Sequence, residues 1–346
     1  MNAKRWIALG IVFALLIVSA LAKFTSSQIA SKEDSSPTFV ESLFADTGEL
    51  TETVIEEGGN DTIAVLSVDG TIQDTGDSGS LFSEAGYNHS FFMQQLEQVR
   101  NDDNIQGVLL YVNSPGGGVM ESAQIRDKIL QIQKERNIPF YVSMGSMAAS
   151  GGYYISAPAD KIFASKETLT GSLGVIMQGY DYSELMKKLG VSDNTIKSGE
   201  YKDIMSGTRP MTEDEKKIMQ SMIDDSYNEF VKVVAQGRGM TVEQVHKIAD
   251  GRIYDGRQAK ENGLIDEFGY QEDALEALKK EQGLAGATVI QYDAPGDFSS
   301  LFSVAAQKIS GQNADISQLI KLTGTLKAPR MMYLYGEQCE RRGANG

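Results

Sequence analysis

From Thr62 onward the chain alternates short apolar runs with longer stretches in which apolar residues recur every three or four positions. Residues 63–68, 107–112 and 139–144 have the length and apolar content of strands buried on both faces. Residues 90–100 place Phe91, Phe92, Leu96 and Val99 on one side of a helix, and a second helix is predicted from Val119 to about Arg136. Residues 161–164 form another short strand pattern. Thr212-Glu213-Asp214-Glu215 is a capping box that opens a long helix ending near Gly237. Helical patterns at 242–249, 257–262 and 272–281 follow, then a strand pattern at 287–290. Strands alternating with helices predict an α/β fold around a buried parallel sheet. No internal repeat is visible.

The ends of the chain differ from this middle. Residues 6–22 are apolar and uncharged, behind Lys4 and Arg5, at the short end of what spans a bilayer. Positive flanking charge stays in the cytoplasm, so the rest of the chain is expected outside it. Ala20-Leu21-Ala22 also fits a cleavage site, which leaves an uncleaved anchor or a removed signal peptide; both export the domain. Residues 23–61 carry nine acidic residues against Lys23 and Lys32 and read as an acidic linker. The expected layout is a cytoplasmic end at 1–5, an anchor at 6–22, a linker at 23–61, a catalytic domain at 62–294 and an extension at 295–346. That extension holds an amphipathic stretch at 301–322 and the segment Pro329-Arg330-Met331-Met332-Tyr333-Leu334-Tyr335.

Composition narrows the chemistry. A formal net charge of −15 argues against a nucleic-acid surface, which needs a basic face. One cysteine, Cys339, excludes an intrachain disulfide, and with only two histidines no metal site or cofactor is expected.

The chemistry concentrates in Gly145-Ser146-Met147-Ala148-Ala149-Ser150-Gly151-Gly152-Tyr153-Tyr154, which follows a strand and precedes a helix pattern. A serine there can be an ordinary helix N-cap. The glycine doublet after it would weaken such a start, and Ala148-Ala149 leaves space around the hydroxyl, so Ser150 is a candidate nucleophile for acyl transfer. Asn113-Ser114-Pro115-Gly116-Gly117-Gly118 lacks the Gly-Lys-Ser/Thr of a P-loop and can present a backbone N–H to an oxyanion. A serine needs a base. His89 and His246 have no recognisable motif around them. Lys166, Lys197 and Lys202 lie near polar loops, and a lysine serves as base only when burial disfavours its charge. Spacing does not choose among the three.

Together with Thr170-Gly171-Ser172-Leu173-Gly174-Val175, Lys197-Ser198-Gly199-Glu200-Tyr201-Lys202-Asp203 and the segment 250–259, these two motifs resemble the signal peptide peptidase A family over roughly 63–270, in its short single-unit form. The resemblance implies a ClpP/crotonase-like spiral of repeated ββα units and a Ser-Lys dyad, and favours the retained transmembrane anchor. It assigns Ser150 as nucleophile, Lys202 as general base, Ser172 as the serine orienting that lysine, and Gly117 and Gly151 as oxyanion donors. It implies a site shared between neighbouring copies in a ring or dome, with an octamer expected, and a C-terminal tail able to enter the groove. The expected function is a membrane-anchored serine endopeptidase, its domain outside the cytoplasm, degrading remnant signal peptides and other unfolded apolar peptides. A crotonase-like acyl-CoA enzyme and a non-catalytic scaffold on the same fold are the alternatives. Export away from cytosolic coenzyme A disfavours the first, and the intact serine and lysine disfavour the second.

Overall fold

The computed structural model describes residues 50–74, 87–293 and 331–334. The expected anchor at 6–22, the linker up to residue 49 and the stretch 301–322 lie outside the described residues. Among the described residues no helix is long and apolar enough to cross a membrane.

The chain runs through β1 (Thr51–Glu56), β2 (Thr62–Asp69), α1 (His89–Asn101), β3 (Ile105–Ser114), β4 (Gly116–Gly118), α2 (Val119–Arg136), β5 (Phe140–Ala149), α3 (Gly151–Ser156), β6 (Lys161–Ala164) and β7 (Leu169–Gly171). It continues through α4 (Ser183–Lys188), α5 (Glu213–Arg238), α6 (Val242–Ile248), β8 (Ile253–Asp255), α7 (Gly256–Glu261), β9 (Glu267–Phe268), α8 (Gln271–Glu281), β10 (Thr288–Asp293) and β11 (Met332–Leu334). The main sheet has the order β1-β10-β2-β3-β5-β6-β9, with β7 pairing β5 and β8. It is parallel except at β1–β10 and β7–β8.

Both faces of the central strands are buried, which is why their sequences read as continuous apolar runs. Ala64, Leu66, Val68, Val108, Leu110, Val112, Phe140, Val142 and Met144 point into the larger core with residues of α1, α2, α3 and α5. Ile63, Val65, Leu109 and Tyr141 point the other way, against Ala274 and Leu278 of α8.

Three features depart from the sequence pattern. Thr51–Glu56, placed at the end of the acidic linker, is a strand that pairs antiparallel with β10. All its side chains are exposed, so it carries no apolar run to announce it, and its pairing comes from the backbone at a sheet edge. Strand β5 continues past Met144 to Ala149, through residues that read as a turn. Pairing with β7 holds that extension, and Thr168 Oγ1 donates to the Gly145 carbonyl at 2.8 Å. Finally, Met332–Leu334 forms a small second sheet with β4.

Candidate active site

Ser150 stands where β5 turns into α3, with φ 53° and ψ −115°. This left-handed conformation is uncommon for a residue with a Cβ and costs energy that the surroundings must hold. The surroundings are specific: Ser150 N donates to the Gly171 carbonyl at 2.8 Å, and its own carbonyl receives Tyr154 N at 2.9 Å. Although Ser150 occupies the N-cap position, its side chain makes no capping bond to the helix. The N-cap role is therefore not what the hydroxyl does. The approach to the turn is tied by Asn113, whose Nδ2 donates to Asp69 and whose Oδ1 receives Ser146 Oγ at 2.9 Å. These bonds join the ends of β2, β3 and β5 beneath the serine.

The glycine strand β4 packs against this turn. A side chain on Gly151 would meet Ser122 Oγ at 2.7 Å and Gly116 Cα at 3.1 Å, and one on Gly116 would meet Gly151 N at 2.6 Å. Gly116 has φ 98°, and a Cβ on Gly117 would collide with the Ile72 carbonyl. The Ile72 backbone flanks β4 on one side, with Ile72 N donating to the Gly116 carbonyl at 2.9 Å and Gly118 N to the Ile72 carbonyl at 2.8 Å. Such close backbone packing explains glycines in terms of space alone. It sets the glycine strand that carries Gly117 against the serine turn as a separate segment, with Gly116 in contact with Gly151, and an oxyanion hole draws its donors from two such segments.

The open flank of β4 is filled by the chain's own β11. Tyr333 is paired with Gly117 and Leu334 with Gly116, antiparallel, and Met332 forms a two-way backbone bridge to Ile176. The segment thus lies as an extended strand between two backbone walls. Its Tyr333 carbonyl oxygen is 3.0 Å from where a Cβ on Gly151 would stand. The Tyr333 ring is buried in an aromatic pocket, 4.9 Å from Tyr154 and 4.7 Å from Phe230 between centroids, with its hydroxyl donating to the Ser226 carbonyl at 3.3 Å. Burial pushes the Tyr154 hydroxyl up to about 12, so this wall stays uncharged through mildly alkaline pH. Ser226 Oγ lies 3.3 Å from Met331 Sδ.

Ser172 follows β7, buried at φ 49°, with its N donating to the Arg252 carbonyl at 2.8 Å. It comes next in the chain after Gly171, the residue bonded to Ser150 N. A cavity of about 570 Å³ opens beside it, lined in part by Val175, Tyr227 and Asp250. The structure therefore gathers Ser150, Gly151, Gly117 and the Ser172 segment. It does not bring Lys202 to them: Lys202 is exposed, and among the described residues no hydrogen bond or ion pair joins its amine to Ser150 or Ser172.

The other candidate bases are engaged elsewhere. His89 is the buried first residue of α1, with Tyr87 Oη at 2.6 Å from Nδ1 and Gln124 Oε1 at 2.8 Å from Nε2. His246 is exposed and 3.2 Å from Tyr227 Oη. Lys166 lies over the Phe268 ring, and Lys197 is paired with Asp203 at 2.7 Å. The aromatic pocket of Tyr154 and Phe230 escaped the sequence reading. Tyr154 was in view within the serine motif, but nothing in the sequence joined it to a residue 76 positions later on α5.

Comparison with known proteins agrees with the geometry. The model of peptidase family S49 matches residues 132–285, and that of Clp protease matches residues 84–170, a stretch that contains the serine turn and ends in β7. The chain is 46% identical over 97% of its length to an Enterococcus faecium protein called "Putative signal peptide peptidase SppA", covering 99% of that protein. It is 37% identical over 66% of its length to Protease 4 of Haemophilus influenzae, covering 36% of that chain. It is 28% identical over 66% of its length to the chloroplastic serine protease SPPA of Arabidopsis thaliana, covering 33% of it. Near-complete coverage at this identity, on a fold that sets a strained, buried serine beside a glycine strand, places the chain in the signal peptide peptidase A family, as a serine peptidase.

Proposed function

We propose that the protein is a membrane-anchored endopeptidase working through a Ser150–Lys202 dyad, on a ClpP/crotonase-like spiral of ββα units. Ser150 Oγ attacks the peptide carbonyl carbon while the Lys202 amine takes the hydroxyl proton. Backbone N–H groups of Gly117 and Gly151 receive the charge on the carbonyl oxygen. The ammonium then returns its proton to the leaving amine, the C–N bond breaks, and water activated by the same amine releases the acyl group. Ser172 holds the lysine by accepting a hydrogen bond from it.

One observation carries the peptide reading: an extended strand, Met332–Leu334, already occupies the groove across Gly116–Gly118, with a large apolar ring in a fitted pocket. A groove that recognises backbone on both edges and takes a bulky apolar side chain suits unfolded apolar segments, including remnant signal peptides. An N-terminal anchor at 6–22 would keep the enzyme where such peptides are left after secretion, outside the cytoplasm.

Lys202 enters the site from a neighbouring copy in this reading. General-base work needs a dry amine, and its own chain leaves Lys202 in solvent. The segment around it presents apolar side chains outward: Tyr180, Leu185, Leu189 at 70% exposure, Val191 and Ile196 at 99%. Such a surface suits burial between copies in a ring or dome of eight.

The test is hydrolysis of an apolar peptide across pH, together with labelling by an acylating serine probe. Wild type should gain activity toward alkaline pH, and both Ser150→Ala and Lys202→Ala should lose labelling and turnover. Undiminished hydrolysis by Lys202→Ala removes the dyad.

A further inference from the structure

We propose that Arg209 is a positioning residue for this reaction: it locks the loop that presents Lys202, so that the amine is held in shape before it meets the neighbouring copy. The inference rests on the reading of Lys202 as a base supplied in trans.

The loop between α4 and α5 has little else to hold it. Among the described residues no hydrophobic side chain between Leu173 and Phe230 is buried in the core. Its shape is fixed by polar ties. Arg209 Nε and Nη2 donate to Asp203 Oδ2 and Oδ1 at 2.9 and 2.6 Å, and Nη1 and Nη2 donate to Glu215 Oε2 and Oε1 at 2.8 and 2.5 Å. A guanidinium can bind two carboxylates in this forked way, and an ammonium cannot. Lys197 Nζ adds a bond to Asp203 Oδ1 at 2.7 Å and one to the Glu200 carbonyl at 2.8 Å. Asp193 closes the loop farther back by receiving Thr195 Oγ1 and Thr208 Oγ1, each at 2.5 Å.

The two carboxylates are anchored unequally. Glu215 is fixed, with its side chain 2% exposed and its Oε2 receiving Thr212 N at 2.9 Å in the cap of α5. Asp203 belongs to the loop and directly follows Lys202. Arg209 therefore fastens the residue beside the lysine to a helix end, and the lysine side chain takes no part in the ties. Two cations, Lys197 and Arg209, balance two anions, Asp203 and Glu215. Without Arg209 the buried Glu215 loses its ionic partner and Asp203 loses its fixed anchor.

Co-expressed, differently tagged full-length chains isolated as mixed assemblies provide the test, with hydrolysis of an apolar fluorogenic peptide as readout. As a uniform assembly, Arg209→Gln should lower kcat about 10- to 100-fold with KM within about twofold, and Arg209→Lys should recover part of the loss. Mixed with Ser150→Ala copies, Arg209→Gln should regain activity, because one chain then supplies the serine and the other an intact lysine loop. Mixed with Lys202→Ala copies it should not, since both chains are defective in the lysine loop. Restoration by Lys202→Ala copies, or wild-type kcat in Arg209→Gln beside an inactive Lys202→Ala, overturns the proposal and leaves the dyad standing. Full activity of Lys202→Ala, or failure of Lys202→Ala and Ser150→Ala to complement each other, instead removes the underlying reading and this inference with it. If Arg209→Gln does not assemble, Asp203→Asn carries the same expectation, and wild-type kcat there overturns the clamp.

Discussion

At the scale of single residues, the proposed nucleophile is a strained serine whose strain is separable from its chemistry. Glycine adopts φ 53°, ψ −115° without a Cβ penalty, and alanine does not. Ser150→Gly and Ser150→Ala should both abolish turnover, yet the glycine variant should be more stable by about 1 kcal/mol, a fraction of the 1–3 typical of such strain; paired denaturant melts measure the difference. Gly151→Ala makes the complementary prediction. Its new methyl would meet Ser122 Oγ at 2.7 Å, displacing the proposed oxyanion donor, and kcat should fall about 10²-fold or more while Ser150 stays in place. The serine turn and its closely packed glycines were legible in the sequence because small residues beside a strand leave a recognisable gap. The tie that holds the loop around Lys202 was not. The Thr212–Glu215 capping box was visible, but the pattern that predicts a helix start says nothing of Arg209 lying across it.

At the scale of elements, the central strands and most helices followed from apolar periodicity, since both faces of the sheet are buried. Elements defined by backbone pairing alone were silent: β1 has no buried side chain and β4 has no side chains at all. The loop between α4 and α5 belongs with these, held by charge instead of a core. Arg209, and after it the Thr212 backbone, holds the Glu215 carboxyl down to about 2 from an ordinary 4.5, while Arg209 and then Lys197 hold Asp203 well below the carboxylate range. For a depressed carboxyl, the stabilisation is fully present above the ordinary value and is lost as pH falls through the lowered one. Hydrogen exchange of residues 193–212, taken relative to the intrinsic rate at each pH, should therefore be unchanged from neutral pH to about 4.5 and rise between there and about 2. In Arg209→Gln the rise should begin nearer the ordinary carboxylate value.

At the scale of the whole molecule, activity should depend on assembly and on the tail. If Lys202 acts in trans, specific activity should fall on dilution in step with dissociation of the oligomer, read by light scattering beside the assay. Ending the chain after Pro329 removes β11, and Tyr333→Ala empties the aromatic pocket. Each should lower the apparent KM for an apolar peptide severalfold, with kcat changed little. A lost melting transition would instead assign β11 a stabilising role.

The Met332–Leu334 strand also sets the terms on which any other peptide is admitted. An occupant tethered to the same chain meets the groove at an effective concentration well above that of a dilute free peptide. A dilute peptide in bulk water competes poorly against that, whereas peptides crowded into a thin layer at a bilayer reach comparable local densities. The tail would then act as a threshold, keeping the enzyme idle toward scattered chains and responsive where discarded segments accumulate.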